Sequence, residues 1–165
     1  LANDLGNLWH RTASMIEKYF GGKVPQASSN IFKIPLLQNT LNLWDEVTRA
    51  ILNYDPREAL AKVWSIITAA NQFVEEKKPW VLAKDPAKQQ ELADALYALA
   101  ECVAHIAVLL QAFMPATAKT MLGRLKVQAY QHIRNGKDFC KAFVTAETLI
   151  EKGEPLFPRL DEKVS

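Results

Sequence analysis

Apolar residues return every three or four positions along most of this chain, the spacing of a helix with one face turned inward. Leu1, Leu5, Leu8, Thr12, Met15 and Ile16 fall on one face of a first helix, and Gly21-Gly22 supplies its end. A loop with Pro25, Ser28-Ser29-Asn30 and Pro35 follows. The spacing then predicts a second helix from about Leu37 to Asn53, with Leu41, Leu43-Trp44, Val47 and Ile51 inward. Asp55-Pro56-Arg57-Glu58 starts a third: Asp as N-cap, Pro at the first helical position, Glu three residues after the cap. Its inner face is Leu60, Val63-Trp64, Ile67, Ala70 and Val74, and Pro79 stops it.

Asp85-Pro86 repeats the start signal for the longest helix, whose seam is Leu92, Leu96, Leu99, Val103, Ile106, Leu110 and Phe113. Pro115 ends or kinks it, and Ala116 to Leu125 forms a short fifth helix. Asn135-Gly136 marks a turn, Phe139 to Ile150 is expected to form one more helix, and Gly153-Glu154-Pro155 opens an extended tail. No strand alternation or repeat is present. The chain is expected to be all-α, a bundle of about five main helices over residues 1–152 with a tail over 153–165.

Composition narrows this picture. At 165 residues the chain suits one core. Twenty basic residues against 18 acidic leave a net charge of +2, too little for a sequence-blind nucleic-acid coat whose affinity comes from a basic surplus. No apolar run reads as a membrane span of about 20 residues, and no secretory signal is evident, so a cytoplasmic protein with no membrane partner is expected. Cys102 and Cys140 lack metal-ligand spacing; Cys102 falls on an apolar stripe and reads as a small core residue. The three histidines have no nucleophile or acid beside them, and no glycine-rich phosphate loop occurs. No catalytic residue, metal site or cofactor is therefore expected. The chain opens on Leu1, already inside an amphipathic pattern, and reads as a piece of a longer protein.

Two short signatures remain. Asn7 and Arg11 in Asn7-Leu8-Trp9-His10-Arg11 are one helical turn apart, rotated by about 40° and raised by about 6 Å. With Ser14 and Lys18 they form a polar row flanking the apolar stripe. Far downstream, Lys77-Lys78-Pro79-Trp80 leaves an indole where a helix stops. Amide and guanidinium hydrogen bonds can read the edge of an unpaired base, and an indole can stack on its face. A donor aimed at N3 accepts cytosine and opposes uracil, a difference of roughly 1–3 kcal/mol. Each signature also has a plain reading: a polar row borders any surface helix, and Trp80 could pack down as a cap. Lys77, Lys78 and Lys84 could touch phosphate, but Glu75 and Glu76 cancel charge there.

Four stretches, in order, resemble the C-terminal helical domain of the methionyl-tRNA synthetases. They are Leu1 to Arg11 with Tyr19-Phe20-Gly21-Gly22-Lys23-Val24-Pro25; Ala70-Asn71 to Pro79-Trp80-Val81-Leu82-Ala83-Lys84; Ile106 to Leu110 with Phe113-Met114-Pro115; and Pro155-Leu156-Phe157-Pro158-Arg159. They cover Leu1 to about Leu125 and the tail, while Lys126 to Lys152 fits the family poorly. The resemblance implies an anticodon-binding domain of the class I synthetase type that recognises the CAU anticodon of methionine tRNA. It further implies that Asn7 and Arg11 contact the first anticodon base and that Trp80 stacks on it. Phe73 stands where the family usually has Tyr, and His10 where it often has Asn.

By the same resemblance the parent would be a methionine–tRNA ligase using ATP and Mg, partnered by methionine tRNA and by its own catalytic domain, with no DNA partner. The His-x-Gly-His and Lys-Met-Ser-Lys-Ser signatures of that catalytic half do not occur in this sequence. The tail Leu156 to Leu160 would fold toward the catalytic half and be loose without it. Two other readings stand beside this one: the helical domain of another class I synthetase, and a helical protein-interaction module with Trp80 as its anchor.

Overall fold

A computed structural model describes residues 2–128, 131 and 133–157. Leu1, His132 and Pro158-Arg159-Leu160, all used in the sequence reading, lie outside the described residues. The elements are α1 (Ala2–Phe20), α2 (Pro35–Leu52), α3 (Pro56–Lys77), α4 (Pro79–Leu82), α5 (Gln89–Leu110), α6 (Pro115–Arg124) and α7 (Gly136–Phe139), with 3₁₀ turns at Ile31–Lys33 and Pro86–Lys88. Among the described residues there is one isolated bridge, Lys23 to Leu149, and no strand. The architecture is an all-α bundle.

Local chemistry accounts for the helix starts. The Asp55 side chain accepts the Glu58 N–H at 2.9 Å, and Pro56 occupies the first helical position. Asp55→Ala is expected to lower stability by about 1 kcal/mol, read as a shift in the chemical unfolding midpoint. Asp85 caps the 3₁₀ turn before α5 through the Ala87 N–H at 3.0 Å.

The centre of the bundle is α5. Every residue from Ala95 to Leu110 is buried, so its apolar character goes beyond a single seam. The stretch Pro86–Leu110 is long and apolar enough for a membrane span by composition, contrary to the sequence reading, but 94% of that window is buried inside the bundle. Its apolarity is that of a core helix. Around it, α1 contributes Leu5, Leu8, Trp9 and Ile16, α2 contributes Leu37 and Leu43, and α3 contributes Val63, Ile67 and Val74. Cys102 is buried here as expected, with its Sγ 3.4 Å from the Thr40 hydroxyl.

The expected helix from Phe139 to Ile150 does not form. Asn135 caps a single helical turn, Gly136–Phe139, after which the chain runs irregularly back across the bundle. Its backbone groups have found distant partners instead of each other. The Glu101 carboxylate on α5 accepts the N–H groups of Phe143 at 2.6 Å and Val144 at 3.0 Å. The Glu147 N–H donates to the Val24 carbonyl at 2.8 Å, and the Ile150 N–H to that of Gly22 at 2.9 Å. At the start of the tail, Leu156 and Phe157 are half-buried and pack against the core.

Candidate nucleic-acid interface

The surface of α1 that is not buried carries the candidate residues. Leu5, Leu8, Trp9, Thr12 and Ala13 are turned inward, which fixes the rotation of the helix and sends Asn7 and His10 outward into solvent. Arg11 is half-buried, and its Nη2 donates to the Glu75 carboxylate of α3 at 2.6 Å. This is a correction to the reading of Glu75 as neutralising the lysines that follow it. Lys77 instead pairs with Glu91 at 3.2 Å. Ser14 does not belong to the solvent-facing row, because its hydroxyl is buried and has no hydrogen-bond partner among the described residues.

A second stitch joins the same two helices. The Asn71 amide donates to the carbonyl of Asp4 at 3.3 Å and to that of Ile67 at 3.2 Å. Asp4 with Asn71 and Arg11 with Glu75 ascend together along α1 and α3, so the helices pass each other in the same sense. Arg11 is thereby held toward the C-terminal part of α3, where Trp80 follows five residues after its partner Glu75. One guanidinium nitrogen is engaged, which leaves further N–H groups of the fork for a ligand.

Pro79 was expected only to stop α3; it also begins α4. Lys78 takes a left-handed conformation, φ 46°, and its N–H closes α3 on the Val74 carbonyl at 3.0 Å. Pro79, with no N–H to lose, then occupies the first position of α4. Pro79 and Leu82 face inward, which sends Trp80 and Val81 outward. Trp80 is 37% exposed, so much of its indole is presented at the surface. Phe73, where a Tyr was noted as usual, is buried.

Asn7 also borders an open pocket of about 470 Å³ between α1 and the Lys152–Phe157 segment. That wall is anchored. The Trp9 indole N–H donates to the Lys152 carbonyl at 3.1 Å, and Arg124 donates to the Lys152 and Glu154 carbonyls at 3.0 and 2.7 Å. Gly153, at φ 62°, lets the chain lie against the guanidinium, where a Cβ would fall 2.6 Å from it. The pairing of Glu75 with Arg11 and the bond from Trp9 to Lys152 join residues more than 60 positions apart, which local sequence pattern does not reveal. Among the described residues no cluster of His, Cys, Asp or Glu suits a metal ion.

The helical bundle thus carries an outward amide at Asn7, a tethered guanidinium at Arg11 and a surface indole at Trp80. Comparison with known proteins gives its family. Residues 24–164 match the family model described as the anticodon binding domain of methionyl tRNA ligase, and the chain belongs to that family. The match runs through Lys126 to Lys152, which the sequence reading had placed outside the resemblance. The chain is 40% identical over 98% of its length to the methionine–tRNA ligase of Bacillus subtilis (strain 168), covering 24% of that protein. It is 38% identical over 98% of its length to the ligase of Caldanaerobacter subterraneus, covering 25%.

Among solved structures it is similar to the free-state methionyl-tRNA synthetase of Mycobacterium tuberculosis, with a TM-score of 0.84, 30% identity and coverage of 98% of this chain and 32% of that one. The same enzyme bound by methionyl-adenylate gives a TM-score of 0.82 at 29% identity, covering 96% of this chain and 31% of that one. The chain spans about a quarter of the length of the curated relatives it matches.

Proposed function

We propose that this domain selects methionine tRNA by its CAU anticodon, with Asn7 and Arg11 reading the edge of the first base and Trp80 stacking on its face. The observation that supports this most is the mounting of Arg11. A guanidinium fixed by Glu75 at 2.6 Å, one turn from an exposed amide, is a pre-organised donor set rather than a mobile surface charge. The domain would serve an ATP- and Mg-dependent methionine–tRNA ligase in the cytoplasm, with the catalytic part of the same enzyme as its second partner. In this chain no residue is assigned to ATP.

The competing reading, a protein-interaction module anchored by Trp80, predicts different salt behaviour. A methionine anticodon stem-loop held partly through phosphates is expected to bind several-fold more weakly at 300 mM than at 50 mM salt, roughly tenfold for two phosphate contacts. Fluorescence anisotropy titrations at the two salt concentrations measure this. Salt-independent binding, or none at low salt, would count against the RNA reading.

A further inference from the structure

Away from the reading face, Glu101 and His105 lie one turn apart on α5, both fully shielded from solvent. The carboxylate holds the Phe143 and Val144 N–H groups. His105 Nδ1 lies 2.9 Å from the Glu101 carbonyl and 3.3 Å from its carboxylate, while Nε2 lies 2.8 Å from the Phe139 carbonyl. Phe143 stacks on the imidazole with centroids 4.2 Å apart, and Phe139 meets it edge-on at 4.7 Å. A ring with acceptors at both nitrogens is satisfied only when both carry hydrogen. With the proton on the ring the imidazole is a cation and the adjacent carboxylate its counter-charge; with the proton on Glu101 both groups are neutral. The pair is complete with one proton between its members. A second proton leaves a buried cation unbalanced, and none leaves a buried carboxylate unbalanced.

We propose that Glu101 and His105 form a one-proton latch that clamps the chain from Phe139 to Val144 onto the bundle and loosens when the pair gains or loses a proton. The surrounding groups do not compete for that proton. Tyr97 donates to the Val144 carbonyl at 3.0 Å, and burial beside Glu101 raises it far above neutrality. The Cys102 thiol is pushed up to about 12 by burial. Just before the clamped segment, Asp138 is engaged by Lys141 at 3.0 Å and by the Arg134 N–H at 3.2 Å, both at the surface. Further along, the backbone bonds to Val24 and Gly22 hold the chain without any titrating group.

The sign of the pH response follows from burial. It lifts Glu101 to about 7 against the two N–H groups that favour the carboxylate, and it pulls His105 below its ordinary 6.5. A released pair holds one proton between the ordinary carboxyl and imidazole values. The clamped pair keeps that proton up to about 7. Clamping therefore weakens as pH rises through about 7, because the upper value is raised.

Hydrogen exchange of the Phe143 and Val144 amides, corrected for intrinsic rates and followed by NMR, tests this. Protection is expected to fall from pH 6 to pH 8.5 as the pair loses its proton. The Ile150 amide should not change over that range. Glu101→Gln is expected to lower protection at Phe143 and Val144 and to abolish its pH dependence. Flat protection in the unaltered chain, or an unchanged pH profile in Glu101→Gln, would overturn the proposal. If the variant fails to fold, the first measurement decides it.

Discussion

Trp9→Ala is expected to lower the stability of this domain by about 3–5 kcal/mol, the cost of emptying a large aromatic site in a packed core. Trp9 is 1% exposed. Its indole N–H bonds the Lys152 carbonyl at 3.1 Å, and the Arg124 guanidinium carbon lies 6.0 Å from its ring centroid. Domains of this size have about 5–15 kcal/mol in hand, so the loss should appear as a fall in Tm of about 10 °C or more in a thermal melt. Trp9→Phe separates packing from the hydrogen bond. It keeps most of the apolar volume and is expected to cost about 1 kcal/mol for the missing donor, because the Lys152 carbonyl still accepts from Arg124. Equal losses for the two variants would contradict the division of labour assigned to this ring.

Trp80→Ala is expected to behave in the opposite way. The indole is 37% exposed on a short helix whose inward contacts come from Pro79 and Leu82, so stability should change by less than about 1 kcal/mol. Binding of a methionine anticodon stem-loop should weaken by about 1–3 kcal/mol, between roughly fivefold and a hundredfold, through the lost stacking surface. Melting and anisotropy on the same preparation give both numbers. A large fall in Tm with unchanged binding would make Trp80 a packing residue and remove it from the proposed site.

These contrasts show what was legible in the sequence. Positions whose role is set by near neighbours read correctly: Asp55 caps α3, Gly21-Gly22 closes α1, and Leu92 to Leu110 form a buried seam. The errors fall where a group's partner is remote. The segment after Phe139 has helical spacing, yet Glu101, 42 and 43 positions away from Phe143 and Val144, captures their N–H groups, and a helix there would have to give up those bonds. Arg11 was legible as a donor, but its mount on Glu75, 64 residues distant, was not. Pro79 was visible as a break; that Lys78 turns left-handed and lets Pro79 begin a new turn depends on how Leu82 is buried. Ser14 was misplaced because its row sits at the edge of the α1 stripe, where a small rotation decides between core and solvent.

The most direct test of the central reading compares two anticodon stem-loops that differ only in the first anticodon base, C or U, for binding to this domain and to its Arg11→Ala variant. The account predicts preference for C by about 1–3 kcal/mol, reduced to near zero in Arg11→Ala while the variant's melting curve stays close to that of the unaltered domain. Equal affinity for the two stem-loops, or a preference for C that survives in Arg11→Ala, would contradict it.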